Sequence, residues 1–136
     1  MNRRRMIRSM TFVLAVIPLI ALATSFDWNG RSGAFNDYTK WTPRTVACVI
    51  PEDCYPRSCN DDAIMVIDAL ATVTISTQTI DDLTLIPEGS GLDVTTLDGG
   101  GGAPQTLTCD TLTIDMTGNR TLFLQNNAII KTAACP

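Results

Sequence analysis

The segments IDDLTLIPEGSGLDV (80–94) and CDTLTIDMTGNRTLFL (109–124) follow one plan. Each runs apolar, acid, any residue, Leu, Thr, apolar, then a Gly-containing turn, then a second apolar pair. Alternation over so few residues reads as short strands with one buried face. Pairs of the same kind lie upstream at Ile64/Val66 and Val73/Ile75, and in the two segments at Leu83/Leu85, Leu92/Val94, Leu112/Ile114 and Leu122/Leu124. Ile64 to Leu83 and Val73 to Leu92 are each 19 residues, whereas Leu83 to Leu112 is 29 and Leu92 to Leu122 is 30. The longer interval holds Asp98-Gly99-Gly100-Gly101-Gly102-Ala103-Pro104, a flexible segment of the kind that a repeat array accepts as an insertion.

The spacing predicts stacked coils of about 19 residues, each too small to bury its apolar face alone and each covering its neighbour. The expected fold class is all-β, a short right-handed parallel β-helix, with a β-sandwich of short strands as the alternative. In the coiled reading the twelve residues of the six pairs form the core. Residues 61–136 are the coils, with the insertion at 98–104. Residues 24–60 are an N-terminal cap and a Cys/Pro-rich loop.

Upstream of the coils, residues 26–43 read FDWNGRSGAFNDYTKWTP. Asn29-Gly30 is a tight-turn dipeptide. Trp28, Phe35, Tyr38 and Trp41 are expected to close the first coil as a hydrophobic cap, since solenoid ends need one. The alternative use of Trp28, Tyr38 and Trp41 is as a platform for sugar rings.

The chain opens with Arg3, Arg4, Arg5 and Arg8, then the apolar run TFVLAVIPLIALA (11–23), ending in Ala21-Leu22-Ala23. A positive start, a short apolar stretch and a small-x-small site make residues 1–23 a cleavable signal peptide, with the cut before Thr24. The expected destination is extracellular, periplasmic or the cell surface. All 14 acids lie beyond that point against six bases (Arg31, Lys40, Arg44, Arg57, Arg120 and Lys131), a net charge of −8. That charge repels nucleic-acid phosphates and anionic lipid, so neither is an expected partner.

Export makes Cys48, Cys54, Cys59, Cys109 and Cys135 disulfide candidates. Their spacing and the lack of histidine suit no zinc site. One bridge inside the loop and one between Cys109 and Cys135 are expected, with one thiol left over. The same lack of histidine excludes Ser-His-Asp and Cys-His catalysis. Asp61, Asp62, Asp81, Asp82 and Asp115 are the remaining catalytic candidates. On the 19-residue spacing Asp82 falls beside Ala63, so no acid column is expected. The Thr-x-Thr pairs do not stack either, which argues against an ice-binding face. No catalytic residue, metal or cofactor is assigned.

The order W-x-G, D-x-x-x-W with Pro43, a Pro-containing loop, then Asp61-Asp62-Ala63-Ile64 and Val73-Thr74-Ile75 resembles the start of large bacterial secreted right-handed β-helix proteins, of autotransporter-adhesin-like or pectin-lyase-like type. The resemblance covers residues 26–130. It implies a non-enzymatic structural or adhesin-like surface protein, with a carbohydrate-binding module or a polysaccharide-degrading enzyme as alternatives. Such proteins carry many more coils, so a truncated fragment is expected. Its partner would be a surface polysaccharide, or another protein chain at an open coil end.

Overall fold

The computed structural model describes residues 24–45, 48, 50 and 54–136. The candidate signal peptide, residues 1–23, lies outside the described residues. Among the described residues the regular structure is ten strands and a 3₁₀ turn at Tyr38–Lys40: β1 (Thr24–Trp28), β2 (Gly33–Ala34), β3 (Trp41–Pro43), β4 (Asp61–Ile67), β5 (Thr72–Thr74), β6 (Gln78–Pro87), β7 (Thr95–Asp98), β8 (Gln105–Ile114), β9 (Leu122–Gln125) and β10 (Ala128–Thr132). The all-β expectation holds.

The strands form two sheets, ordered β10-β8-β6-β4-β1-β3 and β2-β5-β7-β9. From β4 onward the chain visits the two sheets alternately. From β4 onward each strand pairs in parallel with the strand two places away; β1 and β2 pair in parallel with β4 and β5, and the single antiparallel pair among these strands is β1 with β3. The turns that make this alternation possible use backbone freedom at a few places. Gly30 has φ +86° and gives up its carbonyl to the Asp68 amide at 2.7 Å. Asn126 and Asn127 both adopt positive φ between β9 and β10, a conformation that asparagine tolerates better than other side chains.

Register builds the interior as columns. Phe26, Ala63, Leu83 and Leu112 are successive partners, and so are Met65, Leu85 and Ile114. In the other sheet Val73, Leu97 and Leu124 align. A small Ala63 sits between the bulky Phe26 and Leu83, the large-small alternation that lets facing layers interdigitate. Each fully buried Val or Leu in these columns contributes about 1.5–3 kcal/mol through area removed from water.

The expected core needs correction at several positions. Ala63, not Ile64, pairs with Leu83, an interval of 20. A one-residue slip exchanges the two faces of a strand. Ile64 and Val66 therefore lie on the outer face, half-buried, while Ala63, Met65 and Ile67 point inward. Leu97, not Leu92, follows Val73. The turn at 88–94 takes up the extra residues and leaves Leu92 at its tip, 96% exposed, with Val94 half-buried beside it. Val73, Ile75, Leu83 and Leu85 are core as expected, and Leu112 and Leu122 pack against it partly buried. The Gly-rich segment connects β7 to β8, with Gly100 and Gly101 at positive φ.

Candidate functional site

At one end of the two sheets the aromatic residues converge. Trp28 and Trp41 meet edge to face with ring centroids 5.0 Å apart, and Phe35 meets Trp41 in the same way at 5.0 Å. Trp41 Nε1 donates to the Phe35 carbonyl at 2.6 Å, and Trp28 Nε1 donates to the Arg31 carbonyl at 3.1 Å. Both indoles are 5% exposed. The sugar platform of Trp28, Tyr38 and Trp41 is thus corrected. Two of its three rings are turned inward with their N–H groups satisfied, and Tyr38 alone is exposed. β3 completes this end by pairing along β1, and Arg44 Nε reaches Asp27 Oδ2 at 2.6 Å.

The cysteines divide differently from the expectation at one bridge. Cys48–Cys54 closes the loop as expected, but Cys135 bonds Cys59 rather than Cys109. Cys109 faces the interior from β8, next to Leu107 in the core. The chain after β10 instead turns back toward β6, where Cys135 Sγ lies 3.3 Å from the Ile80 carbonyl. Burial, and then the nearby Asp82 and Asp110 charges, push the Cys109 thiol above its usual pKa. It is therefore a poor nucleophile.

The acids line up along one corner of the larger sheet, which the 19-residue spacing had concealed. With the true interval of 20, Asp62 precedes Ala63 just as Asp82 precedes Leu83. Asp81 and Asp110 fall beside each other between the paired Ile80–Cys109 and Asp82–Thr111. Carboxylate oxygens of Asp81, Asp82 and Asp110 all lie within 4.8 Å of one another. Desolvation first, then repulsion from Asp82, Asp62 and Asp110, raises the pKa of Asp81. Asp61 is occupied locally, accepting from the Arg57 and Ser58 amides at 3.1 and 3.0 Å. Asp62 accepts from Ser25 Oγ at 3.0 Å. Asp115 is elsewhere, 3.8 Å from Arg120, and its pKa is lowered chiefly by the Thr117 amide. The recurring Asp-Asp before an apolar residue (61–63 and 81–83) was the available signal for this column.

Among the described residues the opposite end has no counterpart to this aromatic cluster. Exposure climbs along each interior column toward the last strands. Met65 and Leu85 are fully buried but Ile114 is 42% exposed, and Val73 and Leu97 are fully buried but Leu124 is 46% exposed. Met116, Phe123 and Ile129 are exposed nearby. β9 and β10 are the outermost strands of their sheets, so each has one row of backbone donors and acceptors with no strand beside it. The sequence places Leu122, Leu124 and Ile114 in the core because local alternation does not distinguish a strand near a sheet edge from an inner one.

Comparison with protein-family models, curated proteins and solved structures returns no match. Among the described residues no helix is long and apolar enough to cross a membrane. The two disulfides are compatible with an extracellular location.

Proposed function

We propose that this chain is an exported, non-enzymatic structural or adhesin-like protein of the cell surface or its surroundings. Its fold on this reading is a short right-handed parallel β-helix, closed by aromatic residues at one end and built to receive a partner at the other. The observation that carries the reading is the rise in exposure along the interior columns toward β9 and β10. The alternation of the chain between two sheets whose strands pair in parallel from β4 onward supports the coil topology, and right-handedness follows the general rule for parallel crossovers. A capped end and an open end give the molecule a direction. Backbone edges and apolar side chains together form the usual means of strand addition.

The test is fractionation of bacteria expressing the full chain. The expected product begins at Thr24, lies outside the cytoplasm and carries both bridges. A cytoplasmic product retaining residues 1–23 with five reactive thiols overturns the proposal.

One observation favours a second reading, that of a polysaccharide-degrading enzyme: the juxtaposition of Asp81, Asp82 and Asp110. Cleavage of an acidic polysaccharide by elimination needs a base beside such acids, and Arg120 lies with Asp115 instead. Release of unsaturated sugars from a polyuronate, abolished by Asp81→Asn, would establish the enzyme reading in place of the first.

A further inference from the structure

The open end is also the part of the molecule where charge changes. Every acid of the chain precedes Met116, and residues 116–136 contain none, only Arg120 and Lys131. Arg120 already faces Asp115 at 3.8 Å. The part of the chain before Met116 holds all 14 acids, so faces built from it bring acid toward acid, whereas at β9 and β10 apolar side chains meet and the neighbouring Asp98 and Asp115 are already engaged by Gln125, Asn126 and Arg120. Low like-charge repulsion and exposed apolar surface at the same place favour a second copy as the occupant.

The rest of the molecule limits how that copy can sit. Head-to-tail stacking would require β10 to pair with β3, the other edge of the larger sheet. β3 has three residues, of which Pro43 has no N–H to give. The adjoining chain is tied down by the Asn29 amide to the Lys40 carbonyl at 3.0 Å and the Arg44 amide to the Ser25 carbonyl at 2.8 Å. An end that cannot receive and an end that can leave one closed solution, the open end against itself about a two-fold axis.

β10 suits that axis. Ala128 and Ile130 pack toward the core and Ile129 and Lys131 face out. In an antiparallel pair centred on Ile130, Ile130 meets its own copy, Ala128 meets Thr132 and Ile129 meets the stem of Lys131. Inward positions stay inward and no two charges are opposed. Ile130 and Leu124 of the two copies then close the ends of both interiors. We infer that this protein forms a two-fold dimer by antiparallel pairing of β10 with β10 of a second copy, joining the open ends into one continuous core.

The inference rests on the coil reading of the proposed function, and the experiment separates the two. Sedimentation of the protein recovered after expression of the full chain is expected to give twice the chain mass. Ile130→Lys is expected to weaken association by roughly 30-fold or more, as for a charge placed at an interface centre. Because that variant could also disturb folding, Ile130→Cys provides an independent readout. On mild oxidation it is expected to yield a disulfide-linked dimer, while Ile50→Cys, exposed on the loop between β3 and β4, is not. Peptide mapping of the bridges accompanies each sample. A monomer at all concentrations with Cys59–Cys135 intact overturns the dimer but leaves the fold, and assigns the open end to a partner of other chemistry. A ladder of higher oligomers overturns the two-fold arrangement. Absence of the Cys59–Cys135 bridge overturns the coil reading and the dimer with it.

Discussion

Replacing Thr95 by valine should destabilise the protein although shape and volume hardly change. Thr95 is fully buried where β7 begins. Its Oγ1 accepts from the Gly89 amide at 3.2 Å, and its single proton can serve the Asp68 carbonyl at 3.3 Å or the Ile67 carbonyl at 3.4 Å. The hydroxyl thus ties the turn at 88–94 to the end of β4. Valine leaves the buried Gly89 N–H without this acceptor, at a cost of about 1–3 kcal/mol. The added methyl recovers a fraction of that, so the net loss should be about 2 kcal/mol. Thr95→Ser keeps the hydroxyl and deletes one methyl group, costing about 1 kcal/mol. Urea titration followed by circular dichroism reads both as shifts in midpoint at unchanged slope. The order expected is wild type, then serine, then valine. A valine variant as stable as wild type would refute the claim that this hydroxyl holds the turn to β4.

Further perturbations test other parts of the structure. A methyl group at Gly99 would collide with the Asn126 carbonyl and lie 2.7 Å from the Ala128 amide, so Gly99→Ala should cost about 1–3 kcal/mol and speed amide exchange in β9 and β10. Removing the Cys59–Cys135 bridge with Cys135→Ser frees a loop with a sequence separation of 76 and should cost about 4 kcal/mol. Opening Cys48–Cys54, with a separation of 6, should cost about 2 kcal/mol; equal midpoints in denaturant would contradict this. The Asp98 carboxylate is held below its usual pKa, chiefly by the Gly100 amide and then by Asn126. Its contribution is therefore present above its unfolded pKa and is lost as pH falls through the lower folded value. Asp81 behaves in the opposite sense. Desolvation and its acidic neighbours raise its folded pKa, so it disfavours the fold at neutral pH and that penalty fades as pH falls through the raised value. Asp110→Asn should accordingly stabilise the protein at pH 7 and have less effect in acid, which thermal melts across pH would show.

How much of this was legible in the sequence depended on how local each feature is. Strands of two to four alternating residues are a local property, and the pairs at 73–75 and 83–85 were placed in the core correctly. The segment Asp61–Ile67 was ambiguous because both of its faces are apolar. Ala63, Met65 and Ile67 compete with Ile64 and Val66, and only the pairing partner decides. A fixed 19-residue repeat chose the wrong face. It also hid the alignment of Asp62 with Asp82, since unequal intervals between paired strands shift every later column. The bridge from Cys59 to Cys135 depends on where the last residues cross the larger sheet, which no local pattern specifies. The burial of the Thr95 hydroxyl had no local signal in the sequence, since it follows from the wide turn before it. Trp28 and Trp41 were correctly expected to be buried, because aromatic rings in a small domain gain most by burial.

The most direct test of the coil topology is measurement of backbone proton contacts between strands by NMR. Close contacts across the parallel pairs Ala63–Leu83, Leu83–Leu112 and Val73–Leu97, without antiparallel contacts between consecutive strands β4, β5 and β6, are the expected result. Hairpin contacts joining β4 to β5 or β5 to β6 would contradict it and restore the sandwich.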